Sequence, residues 1–217
     1  MAVLALTGAS SARADQQDVS AWLNVTYQIR VDGPWMAWAE AQGRFGEDVG
    51  RLSQTILRPG LGYEIRPGLI AWVGYARITT FNATSQVGED RFWQQLSWTV
   101  GKVFDGTLSS RTRLEQRLVQ NGNDTGWRAR ELVRYEHPFF EGSDMSVVFT
   151  SETFMALNRA DWGARSGFDQ IRNFIGIGFT PFPSARLELG YMNQYIERPG
   201  PVNRSNHILS FNLLGRL

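Results

Sequence analysis

The side chains able to do chemistry in this sequence are few and scattered. Two histidines occur, His137 and His207, and there is no cysteine. The missing thiols exclude zinc-thiolate sites, disulfides and cysteine nucleophiles, and two distant histidines have no metal-ligand spacing. His207 stands near Ser205 and Ser210, which leaves open a Ser–His pairing of the kind used by lipid-hydrolysing enzymes. His137, in Tyr135-Glu136-His137-Pro138, has no such neighbour. Glu89, Asp90 and Asp161 invite a carboxylate pair or a cation site, although solvated loop charge is the simpler reading. Neither a phosphate loop, a nucleotide fingerprint nor a Gly-x-Ser-x-Gly elbow is present. The expectation is therefore no catalytic residues, no metal and no cofactor.

Arginine is the dominant chemical group. Lys+Arg number 22 against 21 Asp+Glu, and Lys102 is the only lysine. A net charge of +1 offers no basic field for nucleic acid. Arginine stays charged in any site and forms forked pairs with carboxylates, which suits a confined polar interior. The charges also recur at alternate positions. Arg111, Arg113, Glu115 and Arg117 share one side of their segment; Arg128, Arg130, Arg134 and Glu136 share one side of the next. Arg58, Glu64, Arg91, Glu152, Arg172, Arg186 and Glu188 extend the same pattern. These fifteen residues are the candidates for an enclosed, charge-lined lumen.

Alternation with a period of two runs through the chain and specifies strands. Eleven segments are read: 19–31, 34–45, 52–65, 68–79, 90–103, 106–119, 126–138, 145–156, 167–180, 184–196 and 203–217. In 21–31, Ala21, Leu23, Val25, Tyr27 and Ile29 oppose Trp22, Asn24, Thr26, Gln28 and Arg30. In 35–45, Trp35, Ala37, Ala39 and Ala41 oppose Trp38, Glu40, Gln42 and Arg44. Most segments have about ten residues or more, the length of a tilted transmembrane strand, whereas globular strands average about five or six. Charges on a lipid-facing side cost about 2–4 kcal/mol each at mid-membrane, so the charged face must point inward. Gln94, Gln116, Glu131, Asn173 and Asn193 fall on the apolar face, in the outer part of their strands; a β-bulge near Glu131 would also account for that residue.

Residues 1–14 read as a shortened export signal. Ala2–Leu6 is an apolar core and Ala12-Arg13-Ala14 a cleavage site, leaving 15–217 as one barrel domain. Short turns at 66–67, 104–106, 139–144 and 181–184 alternate with longer loops at 80–89, 120–125, 157–166 and 197–202. The arrangement is that of an outer-membrane barrel, turns inside and loops outside. The tight turn at Val31-Asp32-Gly33 breaks it, because the first segment would then begin outside. An even count of 10 or 12 strands is expected, 12 ahead of 10. A hidden twelfth strand, an unusual pairing of the first segment, or its placement in the lumen would each account for the break.

Several motifs carry a family likeness: Glu89-Asp90-Arg91-Phe92-Trp93-Gln94-Gln95, Arg111-Thr112-Arg113-Leu114-Glu115-Gln116-Arg117, Arg128-Ala129-Arg130, Glu152-Thr153-Phe154, Asn173-Phe174-Ile175-Gly176 and Gly190-Tyr191-Met192-Asn193-Gln194, with Gly74-Tyr75 before them and Asn206-His207-Ile208-Leu209 closing the series. Their order resembles an uncharacterised family of outer-membrane proteins, the domain of unknown function numbered twenty-four-ninety. The resemblance implies an antiparallel transmembrane β-barrel exported to the bacterial outer membrane, and it carries no activity. The expected partners are outer-membrane lipids and lipopolysaccharide, and the barrel-assembly machinery reading the last strand. That strand ends in Leu217, where an aromatic residue is usual. Three roles stand in order: a structural or narrow-pore barrel filled by its Arg/Glu ladder, a channel for small anions, and a lipid-modifying enzyme. A soluble lipocalin-like barrel is the alternative outside the membrane.

Overall fold

Alternating side chains become alternating faces of one closed sheet. The computed structural model describes residues 16–198 and 202–216, and the export segment expected at 1–14 lies outside them. The described residues form eleven strands and no helix. They are β1 (Gln16–Asp32), β2 (Trp35–Gly46), β3 (Arg51–Arg66), β4 (Leu69–Phe81), β5 (Gln86–Val103) and β6 (Gly106–Val119). β7 (Thr125–Pro138), β8 (Met145–Ala156), β9 (Gly167–Phe182), β10 (Ala185–Ile196) and β11 (Arg204–Arg216) complete the ring. Each pairs antiparallel with the next, and β1 pairs with β11 in parallel, from Gln16 opposite Arg204 to Gln28 opposite Arg216.

The even count is corrected to eleven among the described residues. A ring of hairpin-linked strands needs an even number to close antiparallel; an odd number closes only if one neighbouring pair runs parallel. The β1–β11 seam is that pair, so the first segment lies in the wall, and each segment read from the sequence is one strand. Both β1 and β11 therefore run from the rim bearing the longer loops to the rim bearing the short turns.

Turn chemistry fixes the short rim. Phe104 and Asp105 both have positive φ, 46° and 64°, the type I′ geometry whose twist matches that of the strands. Strands of 12 to 18 residues are at least about 40 Å long, or about 30 Å tall at a tilt of ~40°. Pairing of β7 with β6 and β8 continues unbroken through Glu131, so there is no bulge. Glu131 stays on the outer face, where the hydroxyls of Ser110 and Thr112 donate to it. Gln94 and Gln116 likewise bond each other across the β5–β6 pair.

The outer face is apolar and exposed on strand after strand: Val25, Leu57, Val73, Phe92, Val133, Phe149, Ile175, Leu189 and Phe211 all project from it. The inner face is divided. Met36, Trp38, Ile56, Ile70, Trp72, Ala76, Ile78 and Trp93 form a buried apolar cluster on β2–β5. Beside it, the inner faces of β5–β10 carry charge.

Candidate functional site

The inner charges do not alternate in sign across the sheet as a simple ladder would. Register places Arg91 directly opposite Arg117, and Arg113 opposite Arg130. Facing like charges repel, so each such pair needs a carboxylate from a neighbouring position. Glu89 supplies it for the first, accepting from Nε of Arg91 at 2.7 Å and Nε of Arg117 at 2.5 Å. Glu115 supplies it for the second. Its carboxylate, wholly buried, accepts from Arg130 Nη1 at 2.7 Å and Arg128 Nη2 at 2.6 Å. Arg91 and Arg113 each lie 3.9 Å from it.

The network continues towards the short rim. Glu152 accepts from Arg130 at 2.7 Å and Arg111 at 2.6 Å, with Arg172 at 4.0 Å. Arg134 and Arg186 share Glu188 and Glu136 at 2.6–2.9 Å. Arg58 pairs with Glu40, which also accepts the indole N–H of Trp38 at 3.2 Å. Glu64 stands apart, pairing with Arg30 at the short rim. Thirteen of the fifteen candidates thus take part in ion pairs on β5–β10, Arg172 at the long limit of 4.0 Å, while Arg58 pairs separately with Glu40 of β2 and Glu64 with Arg30.

Sequence reasoning missed what fills the lumen. The β2–β5 side is closed by tryptophan rather than by the Arg/Glu ladder. Trp38 packs edge-on to Trp72 and Trp93, with ring centres 5.2 and 6.1 Å apart. The Arg113 guanidinium lies 4.7 Å above Trp93, a stabilising stack in a dry site. Glycines make the room: a Cβ at Gly62 would fall 2.4 Å from the Trp72 ring, and one at Gly74 2.4 Å from Trp93. The available signal was this pairing of inward glycines with inward tryptophans on adjacent strands.

What remains is a cavity of about 890 Å³. Its lining runs from Gly68, Thr99 and Arg216 by the short rim to Glu89, Arg117 and Asp169 by the loops. Ten of the fifteen candidates border it; Arg113, Glu115, Glu136, Arg186 and Glu64 do not. Ten arginines line it against five carboxylates. Trp22 and Arg44, inward in the sequence reading but not among the candidates, line it too.

The loop rim is partly covered. Trp162, between β8 and β9, donates its indole N–H to the Asp124 carbonyl at 2.9 Å and lies 4.8 Å from the Arg117 guanidinium. Asp161 accepts the backbone N–H of Asn123 at 2.9 Å and of Asp124 at 3.3 Å. These amides hold its carboxyl below the usual 3.8. A depressed folded value means the clasp is complete above the ordinary aspartate range and is lost as pH falls through the lower value. Amide exchange at Asn123 should accelerate in that acid window, and Asp161→Asn should bring the faster exchange to neutral pH.

The other candidate chemistry is dispersed. His207 bonds the Tyr191 hydroxyl through Nδ1 at 2.7 Å. Ser205 instead accepts from Asn193, and Ser210 is buried on the inner face. Glu89 faces inward, Asp90 holds Tyr75 and Arg77 outside, and Asp161 is in a loop. Among the described residues no group of three His, Cys, Asp or Glu could hold a metal.

A family model described as "Protein of unknown function (DUF2490)" matches residues 19–206, from the seam strand β1 into β11. The chain belongs to the DUF2490 family. An uncharacterized protein of Methylorubrum extorquens is 37% identical over 215 residues, covering 98% of this chain and 94% of that protein. No solved structure matches the chain. Every strand of the DUF2490 barrel, and so the whole arginine network, falls at least partly within the matched span.

Proposed function

We propose that this DUF2490 barrel spans the outer membrane of a bacterium and encloses a narrow, arginine-rich passage beside a tryptophan plug. The observation that carries the reading is the division of one sheet into an exposed apolar outer face and an ion-paired inner face. Water would favour the reverse. A lipocalin-like barrel would place apolar side chains inside and charge outside, whereas only lipid makes an outer belt of Leu57, Val73, Ile175 and Phe211 favourable. Eleven strands lie between the eight whose interior side chains fill and the sixteen that leave a channel, consistent with a plug and a residual cavity.

The chain has no cysteine, so single introduced thiols report topology cleanly. Thr84→Cys, in the β4–β5 loop, should react with a membrane-impermeant maleimide on intact cells. Glu141→Cys, in the β7–β8 turn, should react only after the outer membrane is permeabilised. Recovery of the protein in the soluble fraction after alkaline washing would defeat the reading.

The ten-to-five excess of arginine along the cavity favours anion passage over a purely structural barrel. Purified protein in planar bilayers should show small, anion-selective conductance, and Trp93→Ala should raise it several-fold by opening the plugged side. Large, steady, unselective conductance from the unmodified chain would contradict the plug.

A further inference from the structure

Two guanidinium groups in the cavity, each with a buried unpartnered Nε, are poorly met by carboxylates. Arg44, on β2, donates Nη1 to the side-chain oxygen of Gln54 at 2.8 Å and Nη2 to that of Gln42 at 2.7 Å. Among the described residues it pairs with no carboxylate, and its Nε is buried without a partner. Arg172, on β9, has Glu152 only at 4.0 Å and Gln170 at 3.4 Å, and its Nε is also buried and unpartnered. Both lie against one indole: the Arg44 guanidinium carbon is 3.8 Å and that of Arg172 4.9 Å from the Trp22 ring centre. All three residues line the cavity.

Like charges held close to one aromatic ring repel, and a buried donor without a partner is unfavourable. Elsewhere in this interior an opposed arginine pair is met by a shared glutamate. Here glutamines hold the Arg44 fork, and the carboxylate nearest Arg172, Glu152 at 4.0 Å, is already bonded by Arg111 and Arg130. Arg44 lies against Trp22, and Arg172 near both that ring and Phe154, whose centre is 4.5 Å away, so aromatic faces hold the two groups while unpartnered N–H donors remain for a planar or tetrahedral oxyanion. A free oxyanion would complete the set as Glu89 and Glu115 complete theirs.

We propose that Arg44, Arg172 and Trp22 form a binding site for the phosphate or carboxylate of a small polar solute. The site deepens the anion-passage reading and rests on it for access, while binding itself can be measured without a membrane. Calorimetric titration of the full chain in detergent, at fixed ionic strength, would use inorganic phosphate, glycerol 3-phosphate and succinate in turn, with chloride as reference. Saturable binding of an oxyanion but not of chloride is expected. Preference between phosphate and its glycerol ester tells whether the free ion or an esterified solute is held.

Arg44→Gln with Arg172→Gln should weaken that binding by about tenfold or more, since each change removes charged donors to the oxyanion. Arg44→Lys, which keeps the charge and loses the fork, should weaken it less. Arg77→Gln, on the outer face beside Asp90, should bind as the unmodified chain does. Retained circular dichroism and heat-dependent gel mobility establish that each variant is folded. Absence of oxyanion binding by the folded unmodified chain, or unchanged binding by the double variant, overturns the site even if anions are conducted. Binding without any conductance overturns the passage reading.

Discussion

Glu115→Gln should cost about 3–5 kcal/mol of stability, the usual penalty for removing one partner of a buried ion pair. The substitution is nearly isosteric, so packing is retained and only charge is lost. Four arginines approach this carboxylate, Arg128 and Arg130 in direct contact and Arg91 and Arg113 at 3.9 Å. The position cannot relax into water, because Glu115 has no exposed surface. Urea unfolding in detergent micelles, followed by tryptophan fluorescence, measures the loss. A second change, Arg130→Met, should recover part of it by removing one stranded charge. A Glu115→Gln variant as stable as the parent would show that the network is neutralised by other means.

The second large effect is steric. Gly62→Leu should destabilise the barrel by about 3 kcal/mol, because overpacking a filled core forces side chains off their rotamers. All three of the atoms nearest a Cβ at that position belong to the Trp72 ring. Trp72→Ala alone should cost about 3–5 kcal/mol for the void it leaves. Combining them exchanges volume across the β3–β4 pair, where Gly62 and Trp72 are in register. The double variant should be more stable than the sum of the singles by about 1–3 kcal/mol. Simple additivity would mean that the ring and the glycine do not share one space.

Strands and faces were legible because a period of two is a local property. The segments 106–119 and 145–156 coincide with β6 and β8, and the inward set on 111–117 lies inward. Strand number was harder. Each antiparallel pair follows from a turn between neighbours, but the seam joins strands with no turn between them, so nothing local specifies its direction. Partner choice inside the barrel was equally hidden. Glu115 gathers arginines from β5, β6 and β7, which depends on register and on barrel shear, not on spacing along any one strand. Glu64 shares the alternation of Arg58 but reaches the short rim, where its partner is Arg30. The tryptophan plug was obscured for the same reason: Trp38 shares its face with Glu40 in the sequence, but its meeting with Trp72 and Trp93 depends on register across β2–β5.

The parallel seam also bears on how the barrel comes together. Ten of its eleven pairings join strands that follow one another in the chain and can zip outward from a turn. The remaining one unites segments 188 positions apart, as the side-chain contact between Asn24 and Asn212 illustrates. Closing so long a loop is entropically costly and yields nothing until the other hairpins have brought the edges near. Parallel pairing is slightly weaker per residue than antiparallel. Ring closure is thus expected late in folding, after the hairpins have formed.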